Sequence, residues 1–296
     1  MKAATITTVP VLPVSWGWWR EGGTFRNTNR TLAAAGKIRL RFRMRAGNDF
    51  MIDSPDPFAH HPELRDRIAD PESSFFRTFN IEADLARDPA LRDWVHSDTR
   101  REAIRAEALA GHAGDLWVFG YGSLMWDPAL RFVEVRRAHV AGHARRLILV
   151  DTRGGRGTKE APGLFATLDA GEGCEGLAFR IAAADVEVET EILFRREMLA
   201  PGYLARFVPA RIGNVDIRVL TFLADHEGPD VRPDLTRDEQ VRYLAHGAGD
   251  LGTSRDYLAN IVAHFTHLGI ADDHCSTLLR EVDAYLAERG SVAQPT

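Results

Sequence analysis

Cysteine is scarce: only Cys174 and Cys275 occur among 296 residues. That excludes the disulfide framework of a small secreted domain. Two lone thiols read instead as buried small hydrophobes in a reducing, cytoplasmic setting. Long apolar runs are also missing. None approaches the ~20 residues of a membrane helix, so no membrane partner is expected. Near the start, one Lys precedes the apolar stretch 9–14 and Trp16, Trp18 and Trp19, and no small-residue cleavage site follows. No secretory signal is read there. Positive charge is not in excess: the net charge is −5, with acidic residues interleaved among the Arg clusters. Nucleic acid is not an expected partner.

The motifs of common cofactors are absent as well. There is no Cys-x-x-Cys or His-Glu-x-x-His spacing, no third Gly to complete a dinucleotide fingerprint, and no Lys to complete a phosphate loop. The nearest approach to a metal set is His264 and His267, three apart on one expected helix, with Asp272, Asp273 and His274 close in sequence. That spacing puts the two His on one face without supplying a ligand set. No metal and no cofactor are expected.

What is present reads as a globular chain with one large domain and a substantial extension. Residues 1 to 50 hold three of the six Trp and an alternating basic and apolar stretch, 37–45. This stretch reads as an edge strand or a loose extension, against a targeting or membrane-surface strip. Met51 offers an alternative start. Residues 51–95 are rich in Pro, Asp and His, with Pro71 and Pro89 each placed to open a helix. Ser97 to Thr99 supply caps for a helix from Arg100 to about Gly111.

From Leu116 the character changes. Strands are expected at 116–121, 133–140, 146–150, 164–168, 176–181, 211–212 and 217–223, with a Gly-rich loop at 154–163. A helix is expected over 183–198. After Asp225 the pattern is helical: Thr236 and Glu239 form a capping box, Ser254 opens a helix that Gly269 stops, and Asp272 and Asp273 open the last. Short strands followed by helices argue for an α+β fold. The boundaries expected are an extension over 1–95 and a domain over 96–290.

Two constellations carry chemistry. In Tyr121-Gly122-Ser123-Leu124-Met125-Trp126 a strand ends at a sharp bend that frees backbone amides, and Gly permits positive φ and close approach of a ligand. Such a nest suits an anion, and the Ser123 hydroxyl adds a donor. The same residues also make an ordinary turn with a packed Tyr and Trp. Ser123 lacks the second Gly of a nucleophile elbow, which argues against a serine hydrolase. In the second constellation, Arg195 to Tyr203, Glu197 falls in the last turn of its helix. The negative helix end and any burial would raise its pKa, which suits a proton acceptor. A surface Glu paired with a neighbouring Arg fits that segment too.

Taken together the motifs resemble the ChaC-type γ-glutamylcyclotransferases. Residues 121–126 are similar to that family's Tyr-Gly-Ser-Leu-x-Trp signature. Arg196-Glu197 with Gly202-Tyr203, about 75 residues on, resembles its Arg-Glu…Gly-Tyr segment, whose Glu is catalytic. Residues 142–146, the Arg-Gly-Thr loop at 156–163 and the Asp-Tyr-Leu-x-Asn helix at 256–260 are similar to further stretches, so the resemblance covers about 98–287. Departures are Phe194 in place of an Asp, His143 in place of a Trp, and Leu199-Ala200 inserted before Pro201. They bear on substrate preference rather than reaction type.

The resemblance implies a γ-glutamylcyclotransferase-like fold: a small mixed β-barrel or sheet with surrounding helices and a C-terminal helical region. It implies cleavage of glutathione to 5-oxoproline and Cys-Gly, with Glu197 as catalytic acid/base. It implies substrate binding by Tyr121, Gly122, Ser123, Leu124 and Tyr203, without a cofactor. A cyclotransferase for other γ-glutamyl compounds, or a γ-glutamyl-binding protein without turnover, would use the same groups. Nothing in the sequence specifies an oligomeric state.

Overall fold

The computed structural model describes residues 18–21, 24–27 and 56–292, with side chains described over 56–289. The chain divides into two units, Met1–Phe50 and Met51–Thr296. In the first, Trp18–Glu21 (β1) and Thr24–Asn27 (β2) pair as an antiparallel hairpin. The expectations for 9–14, 37–45 and Met51 lie outside the described residues.

The second unit centres on a closed barrel. Its strands are Leu116–Gly120 (β3), Glu134–Asp151 (β4), Gly163–Ile181 (β5), Tyr203–Ile212 (β6) and Val215–Ala224 (β7), in the order β3-β5-β4-β6-β7. Successive neighbours run antiparallel, while β3 and β7 close the ring in parallel at Val118 and Leu220, and β5 makes a further parallel pairing with β7 at Leu168 and Leu223. The seven strands expected between 116 and 223 are therefore five. The stretches 133–140 and 146–150 form one strand, β4, and 164–168 and 176–181 form one strand, β5. Between the first two stretches, Gly142 is a bulge with φ +74° where the β4–β5 register shifts between Ala141 and His143. A bulge bends a strand without ending it, so one long hairpin can curl round the barrel. The start of β6, at Tyr203, was not expected from the sequence.

β3 explains how the site is placed. Its apolar run is buried on both sides, as a strand inside a layered fold must be. Leu116 and Val118 join a cluster with Leu193 and Phe194 of Val186–Glu197 (α4, with α1 to α3 N-terminal to the barrel) and with Met198, which caps that helix. Phe119 and Tyr121 alternate to the other side, where Tyr257, Leu258, Ile261 and Phe265 of Ser254–Leu268 (α6) meet them. Phe119, Phe179, Phe194 and Phe222 are fully buried, each worth about 1.5–3 kcal/mol in apolar area withdrawn from water.

Helices complete the unit. Phe75–Thr78 (α1) and Glu82–Arg87 (α2) are short, and Pro71 and Pro89 open 3₁₀ turns rather than long helices. Asp98–Ala108 (α3) starts two residues before the Arg100 expected and is capped as expected by Ser97, whose side chain accepts from the Arg100 amide. Arg237–His246 (α5) carries the complete Thr236–Glu239 capping box. α6 begins at Ser254 as expected, with Thr253 as its cap, and it stops at Gly269. Asp273–Val292 (α7) is the last helix. Among the described residues no helix is long and apolar enough to cross a membrane.

Candidate active site

The turn after β3 and the end of α4 meet. Gly122 to Trp126 form a single 3₁₀ turn, with the Met125 amide donating to the Gly122 carbonyl at 2.9 Å. Its leading amides, of Ser123 and Leu124, have no acceptor within the turn itself. Gly122 does not use positive φ, contrary to the reading of the sequence: its φ is −134°. It is required by crowding. A Cβ there would lie 2.6 Å from the Tyr257 hydroxyl.

Glu197 is the last residue of α4, and its side chain keeps only 15% of its exposure. Its carboxylate lies 2.9 Å from Nε of Arg196. Arg196 in turn donates from Nη2 to Ser123 Oγ at 2.9 Å and from Nη1 to the Asp127 carbonyl. One arginine thus ties the carboxylate to the turn. Burial pushes the Glu197 carboxyl above its ordinary range, and the Arg196 charge and hydrogen bond oppose that rise without cancelling it.

Three tyrosines surround this pair. Tyr121 donates to the Phe222 carbonyl at 2.6 Å, which pins the turn to β7. Tyr203 donates to the Ala166 carbonyl at 2.8 Å, so its hydroxyl serves β5 rather than Glu197. Tyr257 accepts from the Ala166 amide at 3.3 Å and keeps its own proton to give. Burial raises all three phenols, and the Glu197 charge raises each further, so they stay protonated donors at neutral pH.

Of the residues expected from sequence, Tyr121, Gly122, Ser123, Glu197 and Tyr203 come together here. Leu124 contributes its backbone alone, because its side chain is buried beside Leu116 and Leu193. Arg196, Tyr257 and Arg145 were not singled out, although all three fall within the motif segments. Arg145 is buried behind the turn. It donates from Nε to the Tyr121 carbonyl, from Nη2 to the Glu175 carbonyl at 2.7 Å, and from Nη1 to Asp272 at 2.6 Å. The histidines serve other ends. His264 lies against the Trp126 ring and its Nδ1 contacts the Asn260 carbonyl, while Asp272 is engaged by Arg145.

A buried carboxyl with a raised pKa, beside protonated phenols and turn amides, can take a proton from one atom and return it to another. It can do so while donors hold an oxyanion. The sequence profile described as ChaC-like protein matches residues 116–285. The glutathione-specific gamma-glutamylcyclotransferase of Escherichia coli (strain K12) is 34% identical over 195 residues, covering 65% of this chain and 84% of its own. The human glutathione-specific gamma-glutamylcyclotransferase 1 is 27% identical over 178 residues, covering 58% and 80%. A crystal structure of the yeast γ-glutamylcyclotransferase specific to glutathione superposes with a TM-score of 0.54 at 20% identity, over 58% of this chain and 97% of that one. The last shows the shared fold, and the profile and the first relative show the lineage: this chain belongs to the ChaC-like family.

Proposed function

We propose that this chain is a glutathione-specific γ-glutamylcyclotransferase, with the activity housed in residues 96–290. The substrate's α-amine attacks its own γ-carbonyl carbon, closing a five-membered ring. The C–N bond to the cysteine nitrogen then breaks. The products are 5-oxoproline and Cys-Gly, and no water is consumed. Because the attack is intramolecular, the enzyme must chiefly hold the folded-back conformer. The neutral amine is the nucleophile; once its nitrogen has bonded to the carbonyl carbon, Glu197 takes the surplus proton from it and delivers that proton to the departing nitrogen. The Ser123 and Leu124 amides and the Tyr257 hydroxyl are the donors for the developing oxyanion. Tyr121, Gly122 and Tyr203 wall the γ-glutamyl group. The free, buried thiols of Cys174 and Cys275 support a reducing, cytoplasmic setting.

One observation carries this reading. A largely buried carboxylate is linked through Arg196 to the Tyr-Gly-Ser turn and acts electrostatically on all three phenols. The test is Glu197→Gln assayed for 5-oxoproline and Cys-Gly release from glutathione. The expected loss is about 10²–10⁴-fold, as for removal of a general acid/base. Turnover near wild type would remove Glu197 from the reaction. Comparing the wild-type rate on glutathione with that on γ-glutamylalanine tests the substrate assignment.

A further inference from the structure

Among the described residues, no carboxylate forms an ion pair with Arg156. It lies in the loop 152–162 that joins β4 to β5. The Asp151 carboxylate curls that loop by accepting from the amides of Arg153 at 2.8 Å, Gly157 at 3.1 Å and Arg156 itself. Ser254 Oγ donates to the Arg156 carbonyl at 3.1 Å and accepts from the Leu164 amide at 2.9 Å, fastening the loop to the start of α6. These contacts aim the guanidinium over the Tyr257 ring, 4.7 Å from its centre.

There the head group has one acceptor among the described residues, the Thr253 carbonyl, 3.2 Å from Nη1. Nε is buried without a partner. Other arginines with largely buried side chains are answered by a carboxylate: Arg77 by Glu189, Arg105 by Glu187, Arg145 by Asp272, Arg196 by Glu197. Arg156 forms no such pair among the described residues, because Asp151 is committed to the loop amides. Burial lowers its pKa to about 10, and the like charge of Arg196 contributes to that. It is still a cation at neutral pH. Asp151 and Asp256 favour the charge from a distance, but a buried cation with a like-charged neighbour and no carboxylate in ion-pair contact among the described residues is unfavourable until an anion completes it. Tyr257 puts the anion's place at the site: its ring lies under Arg156 and its hydroxyl stands against Gly122.

We infer that Arg156 is the receptor for a substrate carboxylate, held next to the reacting γ-glutamyl group. This rests on the proposed reaction and adds the group that orients the substrate in it. A planar guanidinium suits a carboxylate bidentately, which a Lys cannot match. Glutathione offers two such groups, the α-carboxylate of its γ-glutamyl residue and the terminal glycine carboxylate.

The test compares wild type, Arg156→Gln and Arg156→Lys on glutathione and on γ-glutamylcysteine, which lacks the glycine carboxylate. Removing a charge-assisted contact should raise KM about 10- to 100-fold in Arg156→Gln, with kcat changed far less and Arg156→Lys intermediate. A rise with both substrates identifies the α-carboxylate. A rise with glutathione alone identifies the glycine carboxylate. The Tm of ligand-free Arg156→Gln should equal or exceed that of wild type, because the charge removed had no partner. Unchanged KM with both substrates overturns the proposal, as does an Arg156→Gln protein that no longer folds, since the residue would then be structural. Should the wild type turn over neither substrate, the proposed reaction fails separately. Calorimetric titration of glutathione into wild type and Arg156→Gln then tests the arginine: a Kd weakened by the same factor supports it, and equal affinity or no binding overturns it.

Discussion

The ion pair behind the turn sets a quantitative expectation. Arg145 and Asp272 keep only 3% and 17% of their side-chain exposure. Arg145 also stacks on Phe265, with its guanidinium carbon 4.2 Å from the ring centre, and holds the carbonyls of Tyr121 and Glu175. Asp272→Asn leaves that arginine without its counter-ion. Breaking a fully buried pair costs about 3–5 kcal/mol, and the residual exposure of Asp272 brings the expectation down to about 2–4 kcal/mol. At roughly 2–4 °C per kcal/mol for a unit of this size, Tm should fall by roughly 4–16 °C. Arg145→Met strands three acceptors and should cost at least as much. The double variant removes both charges together, so it should lose less than the sum of the singles by about 0.5–3 kcal/mol of coupling. Activity divides the two partners. Arg145→Met releases the Tyr121 carbonyl and should lower kcat, whereas Asp272→Asn leaves that hydrogen bond in place and should spare kcat at temperatures where it stays folded. Calorimetric melting and urea unfolding of the four proteins read the cycle. An Asp272→Asn protein that melts with wild type, or single effects that simply add, would refute the idea that this pair supports the turn.

Other consequences are more local. The Phe76 ring covers the Arg196 guanidinium at 4.0 Å, from a segment that precedes the matched family region. Phe76→Ala should lose a cation–π contact of about 0.5–2 kcal/mol, lowering Tm by roughly 1–8 °C and kcat/KM for glutathione by roughly 2- to 30-fold. An unaltered kcat/KM would mean that this segment does not steady the arginine. The raised pKa of Glu197 also predicts a pH signature. The folded state holds this proton to higher pH than the unfolded chain, so the group's contribution to stability is present below its ordinary value of 4.5 and is lost as pH rises through the raised one. Glu197→Gln escapes that loss. Its Tm advantage over wild type should therefore be least in acid and grow toward neutrality, and a constant or shrinking gap between pH 4 and pH 8 would contradict a raised pKa.

How much of this was legible in the sequence depended on whether the information was local. Caps were readable because a cap is a short-range hydrogen bond: Ser97 and the Thr236–Glu239 box act as their spacing implies. The continuity of β4 was not readable, because glycine marks a bulge and a chain break with the same letter, and only the partner strand separates them. At the site, the turn and Glu197 were readable as motif residues, but the links between them were not. Arg196 and Glu197 are adjacent, and neighbours on an ideal helix point about 100° apart, which gives no hint that they meet. They meet at the C-terminal end of α4, where Arg196 also donates to Ser123 and Asp127. The roles of Arg156 and Tyr257 depend on α6 docking against the β4–β5 loop, a contact between segments about 100 residues apart in sequence.

The burial of this site follows from the chemistry proposed for it. A γ-glutamyl carbonyl poised for attack is open to water as well as to its own amine, and attack by water would give glutamate instead of a ring. Excluding water is therefore part of product choice and not only of rate. It also raises Glu197 toward the range where one carboxylate can both accept and return a proton. The same exclusion makes any fixed charge near the substrate costly, so each must be answered. Arg196 is answered by Glu197 and Arg145 by Asp272. Arg156 is left for the substrate to answer, which makes binding itself the step that neutralises the pocket and selects ligands bearing a carboxylate at that distance.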